Sequence, residues 1–114
     1  MLTLSVILGI IAAGAISALL IIFWKQIAQA VLQFVKKGCE GLLEYEWDPD
    51  TGRLICLVYN SVNGLLRKVH DMIMIETKED LEAQMREGLF SEEELEDLVA
   101  HRKVQRTVYN DVDA

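Results

Sequence analysis

Residues 2–24, LTLSVILGIIAAGAISALLIIFW, carry no charged side chain, and this run constrains the chain more than any other feature. As one α-helix rising about 1.5 Å per residue it would reach roughly 34 Å, enough for a hydrocarbon core about 30 Å thick. All 11 Lys and Arg and all 18 Asp and Glu lie beyond it. The expectation is a transmembrane helix over 1–24. A cleaved leader is the alternative, because Ala13, Gly14 and Ala15 resemble a small-residue cleavage site. The missing basic n-region and the apolar continuation to Phe23 favour a retained anchor. Trp24 and Lys25 then fall at the membrane interface as an aromatic belt residue and a snorkelling cation. Lys25, Lys36 and Lys37 follow the run and no basic side chain precedes it. The positive-inside rule therefore places the N-terminus outside and the remaining domain on the cytoplasmic side of a bacterial-type inner membrane, as a single-pass protein.

Inside the run, Ser5, Gly9, Ala13 and Ser17 recur at every fourth position. Lipid gives helices no hydrophobic reason to pair, so close approach depends on small side chains that let backbones touch. These four residues are the expected helix-association face, toward a second copy or a larger membrane complex.

Beyond Trp24 the period stays helical. Ile27, Val31, Leu32 and Val35 share one side, predicting an amphipathic stalk over 25–38 that stops at Gly38. Residues 39–76 read as a small antiparallel β-meander. Leu43, Tyr45 and Trp47 alternate with Glu44 and Glu46, and DPDTG supplies turn chemistry before an extended apolar run from Leu54. Pairing Trp47 with Leu54 sets Tyr45 against Cys56 and Leu43 against Val58. The second strand is apolar on both faces, which marks it as central. Asn63-Gly64 signals a further hairpin into 65–75, read as a strand with a helix as the alternative. Residues 77–106 predict an αα-hairpin. Leu81 and Met85 face inward, Gly88 stops the first helix, and Ser91 with Glu94 forms a capping box for a second that runs to about Val104. Residues 107–114 carry no strong signal and read as a fraying tail. The fold class expected is thus a membrane-anchored α+β chain: one transmembrane helix with an amphipathic extension, the meander, then the αα-hairpin.

LEAQMREGLFSEEELE, residues 81–96, resembles the SHOCT family through Leu81, Met85, Gly88, Leu89, Phe90, Ser91, the acidic Glu92 to Glu94, and Leu95. Over about residues 79–104 that resemblance implies a helical appendage used for assembly or interaction, with no catalytic residues to carry over. YEWDPDTGRL is similar to one unit of the YD repeats of RHS proteins, and its single copy implies a shared hairpin solution only.

Chemistry-bearing patterns are sparse. Asp48, Asp50 and Gly52 evoke a calcium loop, but its sixth and twelfth positions hold Arg53 and Tyr59 in place of Gly and Glu. His70 and His101 stand apart from cysteine or carboxylate at zinc spacing. Cys39 and Cys56 read as thiols on a reducing side. With no phosphate loop, nucleophile elbow or CxxC, neither an enzyme, a metal site nor a cofactor is expected. A net charge of −7 with no basic stripe argues against nucleic acid. Residues 76–97 hold ten carboxylates against Lys78 and Arg86, and Glu92, Glu93, Glu94, Glu96 and Asp97 are the candidate docking residues for a basic partner. The function expected is a single-pass membrane interaction or assembly protein, a homo-oligomer or an accessory subunit of a membrane complex. It would associate through the small-residue face while the cytoplasmic domain recruits or regulates a partner. The alternative is a small pore-forming or membrane-perturbing effector of the holin or defence type.

Overall fold

The uncharged run does not form one helix. In the computed structural model, which describes residues 2–14, 16–51, 53–60, 65–68, 74–75 and 78–112, it opens with β1 (Leu2–Thr3) and divides into α1 (Leu4–Ala13) and α2 (Ala18–Phe34). Gly14 ends α1 with φ 64° and donates its backbone N–H to Ile11 O. This left-handed conformation is open to glycine without steric cost. Ser17 then caps α2, its hydroxyl accepting from Leu20 N. Among the described residues no helix is long and apolar enough to cross a membrane. That corrects the transmembrane helix over 1–24, the single-pass architecture and the inner-membrane location. The physical reason is that Gly14 and Ser17 are helix punctuation.

The stalk expected over 25–38 is likewise no separate element. Residues 25–34 are the second half of α2, which ends at Phe34 and whose buried stripe Leu20, Phe23, Trp24, Ile27, Ala28 and Val31 packs inside its own domain. Trp24 is 0 % exposed, with Phe23, Tyr45 and Phe90 rings around it at centroid distances of 6.0, 6.1 and 6.2 Å. These edge-on and tilted contacts suit the ring quadrupoles. The placement of Trp24 at a membrane interface falls with the span; Lys25 is exposed on α2.

The sheet comprises β1, β2 (Glu40–Asp48), β3 (Arg53–Asn60), β4 (Leu65–Lys68), β5 (Met74–Ile75) and β6 (Lys103–Tyr109), with α3 (Lys78–Arg86) and α4 (Glu92–His101) between β5 and β6. Its order is β1-β6-β2-β3-β4, and β5 also pairs with β3. β1 runs parallel to β6 and the other pairs are antiparallel, so the sheet is mixed where a plain meander was expected. The β2–β3 register sets Tyr45 against Cys56, Leu43 against Val58 and Trp47 against Leu54. Asp48 shapes the turn by accepting from Asp50 N at 3.0 Å. The Asn63-Gly64 turn lies outside the described residues. At both described ends of 65–75 the chain is strand.

The largest departure is β6. The helix expected to reach Val104 stops at His101, where Arg102 adopts φ 60°, and the segment read as a tail joins a strand that sits between β1 and β2. Leu43, Tyr45, Leu54, Cys56, Val58, Val104 and Val108 make the buried face of the sheet, covered by α2, α4 and the α3–α4 connection with Leu89 and Phe90. Period-2 alternation places these side chains on one side. Asn110 fastens the chain end: its Nδ2 donates to Val35 O at 2.6 Å, and its backbone exchanges hydrogen bonds with Cys39 O and Gly38 N. Asp111 accepts from both the backbone N and the hydroxyl of Ser5, at 2.9 and 2.5 Å, tying the same end to the first turn of α1. The Ser5 contact also holds the Asp111 carboxyl below its ordinary value.

Candidate functional site

Among the described residues, three surfaces remain once the core is assigned. The first is the outer side of α1 and α2. Val6, Leu19 and Ile22 are 44, 61 and 47 % exposed, and Gly9, Ala12, Ala13 and Ala18 lie open around them. Of the four stripe residues, Gly9 and Ala13 belong to this surface. Ser5 is engaged by Asp111, and Ser17 caps α2. A side chain added at Gly9 would meet nothing within 4 Å, so this position faces outward and packs nothing internally. Exposed large apolar side chains on two neighbouring helices suit an interaction surface.

The second surface is the face of the sheet that no described helix covers. Leu42, Ile55, Leu57 and Tyr59 are half-buried there around a polar centre at Glu44. Tyr59 Oη donates to Glu44 Oε2 at 2.8 Å, and Lys103 Nζ lies 3.2 Å from Glu44 Oε1 and 3.5 Å from Glu46 Oε1. The Tyr59 hydrogen bond lowers the Glu44 carboxyl from its ordinary 4.5; burial opposes this and Lys103 adds to it. Through the same contacts Tyr59 and Lys103 are raised. A carboxyl lowered in the folded state gives stability that is present above its ordinary value and lost as pH falls through the folded one. Glu44→Gln is therefore expected to lower the urea midpoint at pH 7, with the gap from wild type closing as both are titrated toward pH 3. A gap that stays constant across that range would show that the carboxylate charge contributes nothing.

The third surface is the outer edge of β6. β1 pairs with β6 at Val108 and Tyr109, so residues 103–106 have no strand on that side among the described residues. Trp47 N donates to Arg102 O, and Asn110 N donates to Cys39 O. Alternation along the strand then turns the backbone groups of Lys103 and Gln105 away from β2, toward the open edge. α4 borders this edge. An open cleft of about 770 Å³ is lined by Leu2, Phe90, Ser91, Glu94, Gln105 and Arg106 among others. A second of about 410 Å³, lined by Asp97, His101, Lys103, Val104 and Gln105, continues it past the shared Gln105.

Of the candidate docking carboxylates, Glu94 is already committed. It completes the capping box with Ser91 and its Oε2 lies 2.8 Å from Arg106 Nε, while Arg106 also stacks over Phe90 at 5.2 Å. Glu92, Glu93, Glu96 and Asp97 are exposed on α4. Sequence reasoning found these carboxylates but missed the strand edge beside them. Its signal was the alternation VQRTVY, hidden by an arginine in an inward position.

Among the described residues no constellation for catalysis emerges. Among the described residues no group of three His, Cys, Asp or Glu could hold a metal. Cys56 is buried and desolvation pushes its thiol far up, which leaves no thiolate for nucleophilic work. Burial likewise raises the Tyr45 hydroxyl well above its ordinary value. His101 is exposed on the groove wall, and His70 lies outside the described residues. No family model, no curated protein and no solved structure matches this chain.

Proposed function

We propose that this chain is a non-catalytic interaction domain that assembles with copies of itself through the outer face of α1 and α2 and recruits a partner at α4. The observation that carries the reading is the exposure of Val6, Leu19 and Ile22 on a surface without charge between residues 2 and 24. An uncharged apolar face is complementary to its own copy, whereas the rest of a chain carrying −7 repels one. Gly9, Ala12 and Ala13 permit close approach of a facing helix.

Light scattering on the purified chain is expected to give a defined oligomer. The Leu19→Lys, Ile22→Lys double variant is expected to be a monomer with an unchanged far-UV spectrum, because both side chains are exposed and pack little within the domain. A wild-type monomer at the highest concentration reached, or an oligomer indifferent to both substitutions, sinks the self-association reading.

A further inference from the structure

We infer that the groove between the outer edge of β6 and α4 takes an extended basic peptide, which adds as a strand beside residues 103–106. The first part of the argument is backbone chemistry. Lys103 and Gln105 present N–H and C=O groups outward, and alternating donors and acceptors at strand spacing are complementary to another strand. The second is shape. α4 stands along this edge, and the two clefts that meet at Gln105 leave a trough closed at one end by β1 and at the other by the Arg102 turn. Four residues of β6, Lys103 to Arg106, lie between those limits, enough for a short added strand with alternate side chains reaching the wall of α4.

Charge selects the occupant. The cations of β6 are already paired, Lys103 with Glu44 and Glu46 and Arg106 with Glu94. Asp97 lines the trough, and no ion pair among the described residues neutralises it. Exposed Glu93 and Glu96 stand on the same helix. The uncompensated field along the wall is negative, so lysine or arginine on the incoming strand is favoured and an acidic peptide is repelled. The inference deepens the interaction-domain reading by naming the partner class. It stands apart from self-association, which uses the opposite part of the chain's surface chemistry.

The test is a titration of the isotope-labelled Leu19→Lys, Ile22→Lys protein with a capped peptide of alternating lysine and valine, and with its glutamate-valine counterpart. Using that variant keeps the two proposals separable. Amide shifts are expected at Lys103, Gln105 and along α4 for the lysine peptide only. Gln105→Pro removes one outward N–H and leaves the β2 ladder intact, because position 105 makes no bond to β2. It is expected to weaken binding at least about tenfold, while Gln105→Ala, which keeps the N–H, changes it less than about twofold. Asp97→Lys, at an exposed helix position, is expected to reverse the preference toward the glutamate peptide. Shifts confined to another surface, equal binding of both peptides, or a preference unmoved by Asp97→Lys would overturn the proposal. So would a wild-type oligomer that Gln105→Pro converts to a monomer, since the edge would then belong to a second copy.

Discussion

A chain that ends at residue 106 is expected to lose its cooperative fold. The missing segment, TVYNDVDA, reads in the sequence as a fraying tail, but it carries three ties. Val108, 0 % exposed, stands opposite Gly41 on one side and pairs with Leu2 on the other, so without it β1 has no strand to join. Burying one valine stabilises by about 1.5–3 kcal/mol. Asn110 satisfies the Val35 carbonyl at the end of α2, and an orphaned buried acceptor costs about 1–3 kcal/mol. Asp111 holds the first turn of α1 through Ser5. The first two losses alone come to about 2.5–6 kcal/mol, a large share of the about 5–15 kcal/mol that holds a small domain. Circular dichroism against temperature is expected to show a broad, non-cooperative decay for the truncated chain. A sharp transition close to the full-length one would return 107–114 to the status of a tail.

That contrast shows where the sequence is legible. Leu43, Tyr45 and Trp47 alternate with glutamates before a turn-forming Asp48, so both the β2–β3 hairpin and its register follow from period and turn chemistry alone. Ser91 and Glu94 likewise declare the start of α4, and the reciprocal capping box is present. β6 was hidden for two physical reasons. Its inward positions are Val104, Arg106 and Val108, and the central arginine breaks the apolar alternation; only the tertiary partners Glu94 and Phe90 make it acceptable there. The helix before it ends at Arg102 in a left-handed conformation without glycine, so the usual stop signal is absent.

The N-terminal run failed differently. Its length and lack of charge satisfy the arithmetic of a membrane span, and that arithmetic treats glycine and serine as tolerated small residues. Gly14 and Ser17 act locally, as the C-cap of α1 and the N-cap of α2, and convert one long helix into two short ones. The hydrophobicity is used for a core on one side and an exposed face on the other. The candidate site was half legible for a related reason. Carboxylates on α4 can be counted in a sequence, but the edge of β6 shows only in the tertiary pairing, where β1 meets β6 at Val108 and Tyr109 among the described residues.

Trp24→Ala is expected to destabilise the domain by about 3–5 kcal/mol, the range for emptying an aromatic from a packed core. A tryptophan at a membrane interface would leave the folded domain almost indifferent to that change. Here the ring lies among Phe23, Tyr45 and Phe90, and its Nε1 donates to Gln84 Oε1 at 3.1 Å. The pair allows a finer measurement. Trp24→Phe keeps most of the apolar contact but strips Gln84, which is fully buried and whose Nε2 already has no partner, of its one side-chain hydrogen bond. That costs about 1–3 kcal/mol, and Gln84→Leu alone costs a similar amount by orphaning the indole N–H. Replacing both partners by apolar groups removes the burden each single change leaves behind. The Trp24→Phe, Gln84→Leu double variant is therefore expected to be more stable than either single variant. Urea unfolding of the four proteins gives the coupling directly. Strictly additive losses would place Trp24 and Gln84 in separate environments and remove the α2–α3 contact from the core described above.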